Sequence, residues 1–296
     1  DDINRGLALI HIQRDGTVSV NHSGTEMGQG INTRMAQVTA DSLGVPIENV
    51  DVTDTQSSLI PNTPPTSMVS TDLCGEAIVK TCKKLLKTLG PYEGSFEERV
   101  EAAYLDGKTL TETGVHNSPR LVYDYETQEG DISYFFVWGA AVSVVEIDVL
   151  SGHYRILKSC VVQDCGKSLN PLLDIGQAEG GFLFGVGYYM TEEMIYDEKG
   201  RLISNNVSSY KIPGPGDVPL DWDIELLNHN PSHSGLHNSK GIGESNVQLG
   251  LSVYFAAKEA IRSARLEHGL SAEFSMNFPA SVDRVSEVLP KIEDLI

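Results

Sequence analysis

The chain has 296 residues, 40% apolar and 21% charged, with 28 Gly and 13 Pro, a folded composition with room for one large or two ordinary domains. Its 22 basic residues against 41 acidic ones leave a formal charge of −19, so a phosphate backbone meets net repulsion, which argues against nucleic-acid partners. No window approaches the roughly 18 to 20 unbroken apolar residues of a membrane span, and Asp1-Asp2-Ile3-Asn4-Arg5 opens no signal peptide, so a soluble cytoplasmic protein without a membrane partner is expected.

Apolar and polar residues alternate over 7–20 about Asp15-Gly16, which predicts a β-hairpin. After Gly28-Gln29-Gly30, the residues Ile31, Met35 and Val38 keep helical spacing until Gly44 and Pro46 stop it, placing Gln29 at a helix entrance. A Pro-rich loop over 60–66 follows. Ser70 or Thr71 is then placed to cap a helix with the apolar face Ile78, Cys82, Leu85, Leu86 and Leu89, ended by Gly90-Pro91. Ser95 and Glu98 form a capping box for a third helix.

The signal over 110–125 is mixed, and the polar run 127–131 is the best boundary, giving expected domains at 1–128 and 129–296. Residues 134–163 read as two long strands about Ser151-Gly152-His153, with Val142, Val144 and Ile147 in the first and Ile156, Val161 and Val162 in the second. Asn170-Pro171 starts a helix that runs to about Met190. It holds Gly176, Gly180, Gly181, Gly185 and Gly187. Each costs up to ~1 kcal/mol relative to Ala, so a neighbouring helix or a flat ligand must approach that backbone closely. Ser245 and Gln248 make a second capping-box pattern before Leu249, Val253, Ala256, Ala257, Ala260, Ile261 and Ala264, one apolar face of a core helix.

The chain has no GxSxG elbow, no GxxxxGK[ST] and no complete GxGxxG, since Tyr188-Tyr189-Met190 follows Gly185-Val186-Gly187. Cys74, Cys82, Cys160 and Cys165 occur in no CxxC and are expected as thiols. Pro231 and Gly235 break the four-residue recurrence of His229, His233 and His237, which read, like the other histidines, as ordinary surface or core residues.

Three glycine-framed polar positions remain: Gln29, Gln177 and Glu244. Glycines beside a polar side chain let backbone and side chain approach a planar, hydrogen-bond-rich ligand together, and they serve turns and caps as well. Glu244 precedes a helix N-terminus whose partial positive charge favours the carboxylate, so it is either available as a base or simply complements the dipole.

Seven motifs in order carry a family resemblance. They are Gly24-Thr25-Glu26-Met27-Gly28-Gln29-Gly30, Pro61-Asn62-Thr63, Ser70-Thr71-Asp72, Leu169-Asn170-Pro171, Asp174-Ile175-Gly176-Gln177, Tyr210-Lys211-Ile212-Pro213 and Lys240-Gly241-Ile242-Gly243-Glu244. Together they resemble the xanthine dehydrogenase and aldehyde oxidase family of molybdenum hydroxylases, over about residues 6–265 and only for the C-terminal part of its molybdenum-binding region. The resemblance implies a mixed α+β fold of sheets with packed helices, in two molybdopterin-binding subdomains, the second carrying the catalytic Glu.

It also implies molybdenum held by the dithiolene of a pterin, with no protein metal ligand, and hydroxylation of an electron-poor carbon of a purine or aldehyde with oxygen from water. [2Fe-2S] clusters and FAD would sit on upstream domains, as would further substrate-side residues, in a homodimeric enzyme. The family's glutamate, the base that deprotonates the hydroxyl whose oxygen reaches carbon, maps to Glu244. Gln29, with Gly28, and Gln177 map to amides that bond the pterin; Ser67, Met68, Val69 and Ser70 map to the loop along pterin and metal; Lys240 precedes the base and either helps hold the loop or an anionic cofactor group or simply faces solvent.

Two departures stand out. Ser245-Asn246 follows Glu244 where the family usually has Pro-Pro, and Ser67 stands where Ala often lies beside the metal, which leaves purine against aldehyde preference open. The isolated chain is expected to be inactive. Rival readings are a non-catalytic relative kept for assembly or cofactor storage, and an unrelated acidic binding module whose glycines serve packing alone.

Overall fold

The computed structural model describes residues 4–52, 56–61, 69–119, 121–227, 235–291 and 293. The chain forms two compact units: 1–136 with 166–173 and 229–241, and 137–165 with 174–228 and 242–296.

In the first unit, strands β1 (Arg5–Ile12) and β2 (Val18–His22) form the hairpin expected from the alternation, turning at Gly16 with φ 87°. Helix α1 (Ile31–Leu43) ends at Gly44, whose φ of 70° suits the left-handed stop, and carries the chain to β3 (Val50–Val52), which runs parallel to β2. Helix α2 (Ser70–Leu89) covers β1, burying Ile78, Cys82, Leu85 and Leu89 completely, each worth about 1.5–3 kcal/mol for a large aliphatic side chain. At Gly6 a Cβ would stand 2.1 Å from the carbonyl oxygen of Leu73, so helix and strand meet backbone to backbone. Helix α3 (Phe96–Leu105) starts with the Ser95/Glu98 capping box formed in both directions, and β4 (Thr111–Asn117) joins the free edge of β1. The sheet order is β3-β2-β1-β4.

The polar run 127–131, expected as the domain boundary, lies inside this unit. It turns a small hairpin of β5 (Tyr123–Asp124) and β6 (Glu129–Gly130), whose cross-strand bonds tie both sides of the run together. The units divide instead between Phe136 and Val137, and the chain crosses back twice.

In the second unit, β7 (Gly139–Ile147) and β8 (Tyr154–Asp164) pair as a hairpin, α4 (Pro171–Val186) leads to β9 (Asp221–Leu227) parallel to β8, and α5 (Leu251–Glu267) covers β7. Its core gathers Ile156, Phe182, Val186, Met190, Val253, Ala257 and Ile261, with Val285 from α6 (Val282–Val288). Both units therefore share one element order: hairpin, crossover helix, parallel third strand, covering helix. Gln29 precedes one crossover helix and Gln177 lies in the other; Ser70 opens one covering helix and Glu244 lies ahead of the other.

Two predicted caps are not formed. Val69, not Ser70 or Thr71, is the N-cap of α2, because the helix begins at Ser70 itself. The Ser245/Gln248 box is absent because a 3-10 stretch, Ser245–Gly250, precedes α5. There Ser245 Oγ and Asn246 Nδ2 both donate to the carbonyl of Ile242, and Gln248 Oε1 accepts from Tyr189 Oη at 3.1 Å. Among the described residues no helix is long and apolar enough to cross a membrane, and the four cysteines form no disulfide.

Candidate functional site

The loop before α1 is built around Glu26. Its Oε1 accepts from the N–H groups of Gly28 at 2.9 Å and Gly30 at 3.0 Å, and its Oε2 from Asn32 at 3.0 Å. It thus satisfies N–H groups that an uncapped helix start leaves open. Partial burial pushes the Glu26 carboxyl up, but the bonds from Asn32, Gly30, Gly28 and Met27 together hold it below the usual carboxylate range. Gln29 braces the same loop, its Oε1 accepting from Met27 N–H at 2.6 Å and its Nε2 donating to Thr25 O at 2.7 Å. One Nε2 hydrogen is left for a ligand. Gly28, with φ 101°, has no heavy atom within 4 Å of where a Cβ would stand, so a flat group can reach its backbone.

Behind this loop His22 is buried, with Gly24 N–H donating to Nδ1 at 3.2 Å and Nε2 against Asn32 Oδ1 at 2.8 Å. A donor on Nδ1 fixes the proton on Nε2. Burial pushes the imidazole below its ordinary value, against the Asn32 bond and the charge of Glu26.

Two further stretches of the first unit carry candidate residues. Val69 is half-buried and Ser70 buried at the head of α2; Ser67 and Met68 lie outside the described residues, as do His229 and His233. The stretch ending at the half-buried Lys240 is pinned by a bridge between Gly166 and Ser239 and by Lys167 N–H donating to Asn238 O at 2.9 Å. A cavity of about 250 Å³ runs beside α1, lined by Arg34, Gln37, Asp41, Leu169 and His237 among others.

In the second unit α4 brings Gln177 and the Glu244 turn together. Gln177 Oε1 lies 3.3 Å from where a Cβ of Gly243 would stand, so glycine lets the amide reach the backbone just before the acid. Glu244 is exposed and Gln177 half-buried, and neither side chain hydrogen-bonds a described residue. Two of the helix glycines explain this closeness. A Cβ at Gly181 would stand 2.4 Å from Gly243 O, and one at Gly185 2.1 Å from Val247 O. Gly176 and Gly180 face nothing within 4 Å, an open strip beside Gln177 that side chains would fill.

The expected helix entrance at Glu244 is revised: α5 begins seven residues later, at Leu251, and only the 3-10 stretch follows Glu244 directly. The helix-dipole argument for this acid therefore does not carry over, and its availability rests on exposure and lack of a partner. An exposed carboxylate without a partner can hold a proton, and an amide without a partner that reaches the preceding glycine can bond a planar heterocycle. Among the described residues no three of His, Cys, Asp or Glu converge to hold a metal ion. The exposed acid, the amide at its turn and the open glycine backbone fit a planar group that asks the protein for hydrogen bonds and backbone access.

Glu26 and Asp72, whose carboxylate accepts from Leu236 N–H at 3.0 Å, build these stretches, a role that their place in the sequence motifs does not reveal. An acid two residues before Gly28, ahead of a helix without a capping side chain, was the available signal for the first.

The fold is that of molybdenum hydroxylases. Aldehyde oxidoreductase from Desulfovibrio desulfuricans ATCC 27774 superposes with a TM-score of 0.77 at 22% identity, covering 98% of this chain and 31% of that one. Quinoline 2-oxidoreductase from Pseudomonas putida 86 gives 0.76 at 24% identity, covering 97% and 38%. Residues 2–219 match the molybdopterin cofactor-binding domain, and the chain belongs to that family. It is 40% identical over 292 residues to xanthine dehydrogenase/oxidase of Mus musculus and 39% identical over 289 to that of Gallus gallus, in each case over 96% of this chain. The chain spans 22% and 21% of the length of these two relatives.

Proposed function

We propose that this chain is part of a molybdopterin-dependent hydroxylase that oxidises a purine or an aldehyde with water as the oxygen source. The observation that carries the reading is the pairing of Gln177 with the Gly243-Glu244 turn across glycine contacts, both side chains without a partner among the described residues. When bound, molybdopterin supplies two-electron oxidation and oxygen transfer to carbon. The chain's own part is positioning and proton handling. Glu244 Oε takes the proton released as oxygen reaches the substrate carbon, and its exposure leaves it open to substrate. The residues that would hold the pterin are Gln177 in the second unit and, in the first, Gln29 through its remaining Nε2 hydrogen and Gly28 through its open backbone. Ser67, Met68, Val69, Ser70 and Lys240 complete the pterin's contacts.

The 40% identity to a xanthine dehydrogenase/oxidase favours a purine over an aldehyde. Electrons would leave through [2Fe-2S] and FAD carried on the remainder of a full-length, homodimeric cytoplasmic enzyme, and residues 1–296 alone would not turn over. Glu244→Gln in the full-length enzyme should keep its molybdenum content while turnover of xanthine falls ~10²- to 10⁴-fold. Turnover within a few-fold of wild type at full metal content would end the assignment, and a preference for aldehydes over xanthine would reverse the substrate choice.

A further inference from the structure

Asp72 lies in the first turn of α2, two residues after Ser70, and its Oδ1 accepts the backbone N–H of Leu236 across 164 residues of sequence. Part of the residue is exposed, but its carboxyl is enclosed; the charges of Arg34 of α1 and Glu76 one turn along α2 act on it, and its own acts on Tyr134 from the segment after β6. Enclosure pushes this carboxyl up to about 6, relieved by the Leu236 N–H bond and by Arg34 and opposed by Glu76.

The same face of α2 takes the side chain of Leu236. A Cβ at Gly75 would stand 2.1 Å from Leu236 Cδ2, and Leu236 is 1% exposed. The residues it anchors turn sharply, since His237 and Asn238 sit at φ 49° and 69°, in the left-handed region. Ser239 N–H and Oγ both return to Leu236 O, at 2.9 and 2.8 Å, so the turn before Lys240 is tied to Leu236 as well as to Gly166 and Lys167. A backbone N–H needs only a neutral acceptor, and an enclosed carboxylate is a costly way to supply one.

We propose that Asp72 is a positioning residue for the cofactor: from the first turn of α2 it grips Leu236 and holds Val69 and Ser70 at a fixed spacing from the turn that presents Lys240. The proposal rests on the reading of those residues as molybdopterin contacts. It goes beyond that reading in assigning the spacing between the two stretches to one carboxylate that itself touches no cofactor.

The test uses the full-length enzyme as wild type, Asp72→Ala and Asp72→Asn, with amide hydrogen exchange of peptides spanning 235–240 and the rate of loss of bound molybdenum and pterin on dilution. Loss of one charge-assisted hydrogen bond predicts exchange and cofactor loss each about 10-fold faster in Asp72→Ala. Asp72→Asn, whose Oδ1 still accepts, should restore both to within about 3-fold, which a simple packing defect would not do. If Asp72→Ala does not accumulate, Asp72→Leu, which keeps the branch at Cγ without an acceptor, takes its place. Unchanged exchange in the Ala variant overturns the proposal, as does faster exchange with unchanged cofactor retention, or an Asn variant as impaired as Ala. Wild-type protein that contains no pterin would overturn the cofactor reading and this proposal with it, a failure told apart by wild-type metal content alone.

Discussion

Replacing Gly185 by Ala puts the packing of α4 to a direct test. A Cβ there would stand 2.1 Å from Val247 O and 3.0 Å from Gly250 Cα, both backbone atoms with no rotamer to escape into. Ala gains up to ~1 kcal/mol of helix propensity, while forcing a methyl into a filled contact costs about 1–3 kcal/mol, and an overlap with backbone belongs at the upper end. The net is a destabilisation of about 2 kcal/mol. At Gly176 no heavy atom lies within 4 Å of the Cβ position, so the same change keeps only the gain and stabilises by about 1 kcal/mol. The two variants should thus differ by about 3 kcal/mol, or roughly 6–12 °C for a unit of this size. The temperature at which α4 peptides lose amide-exchange protection in the full-length protein reads this difference. Equal shifts of the same sign would refute the claim that the 243–250 turn is held by backbone contact with α4.

Other outcomes follow from the titrating groups and the site. His22 is held below its ordinary 6.5 by burial, so the unfolded chain binds its proton more readily. Its contribution to stability is complete above about 6.5 and is lost as the pH falls, and His22→Gln should flatten the dependence of the urea midpoint between about pH 7 and pH 5. Asp72 carries the opposite sign, because its carboxyl is raised from 3.8 to about 6 and the folded state binds the proton more tightly. Its contribution is present at low pH and lost as the pH rises through about 6, so Asp72→Asn should raise the melting temperature more at pH 7.5 than at pH 4.5. A constant increment across that range would contradict the enclosure of this carboxyl. Gly176→Leu, which fills the open strip beside Gln177, should lower molybdenum content without lowering stability; an unchanged metal content would place the pterin elsewhere.

The local elements were legible because their signals are local. Both hairpins, α1 up to Gly44, the apolar face of α2 and the Ser95/Glu98 cap each depend on spacings of two to four residues, and the structure realises them. Seven short motifs in order were enough to identify the family that residues 2–219 match. Strand β4 was not legible, since its pattern is set by pairing with β1 about a hundred residues away. Neither was the true division at Phe136, nor the 3-10 stretch that displaced the cap expected at Ser245.

By itself the sequence determined the two long hairpins, the main helices and which residue types are available for chemistry. Only the tertiary structure decided what α4's glycines touch, that Glu26 fills the start of α1, and that Asp72 grips Leu236. The physical reason is range: periodicity and capping act within a turn or two of the chain, whereas a backbone contact or a bond closing 164 residues exists only once the units have folded.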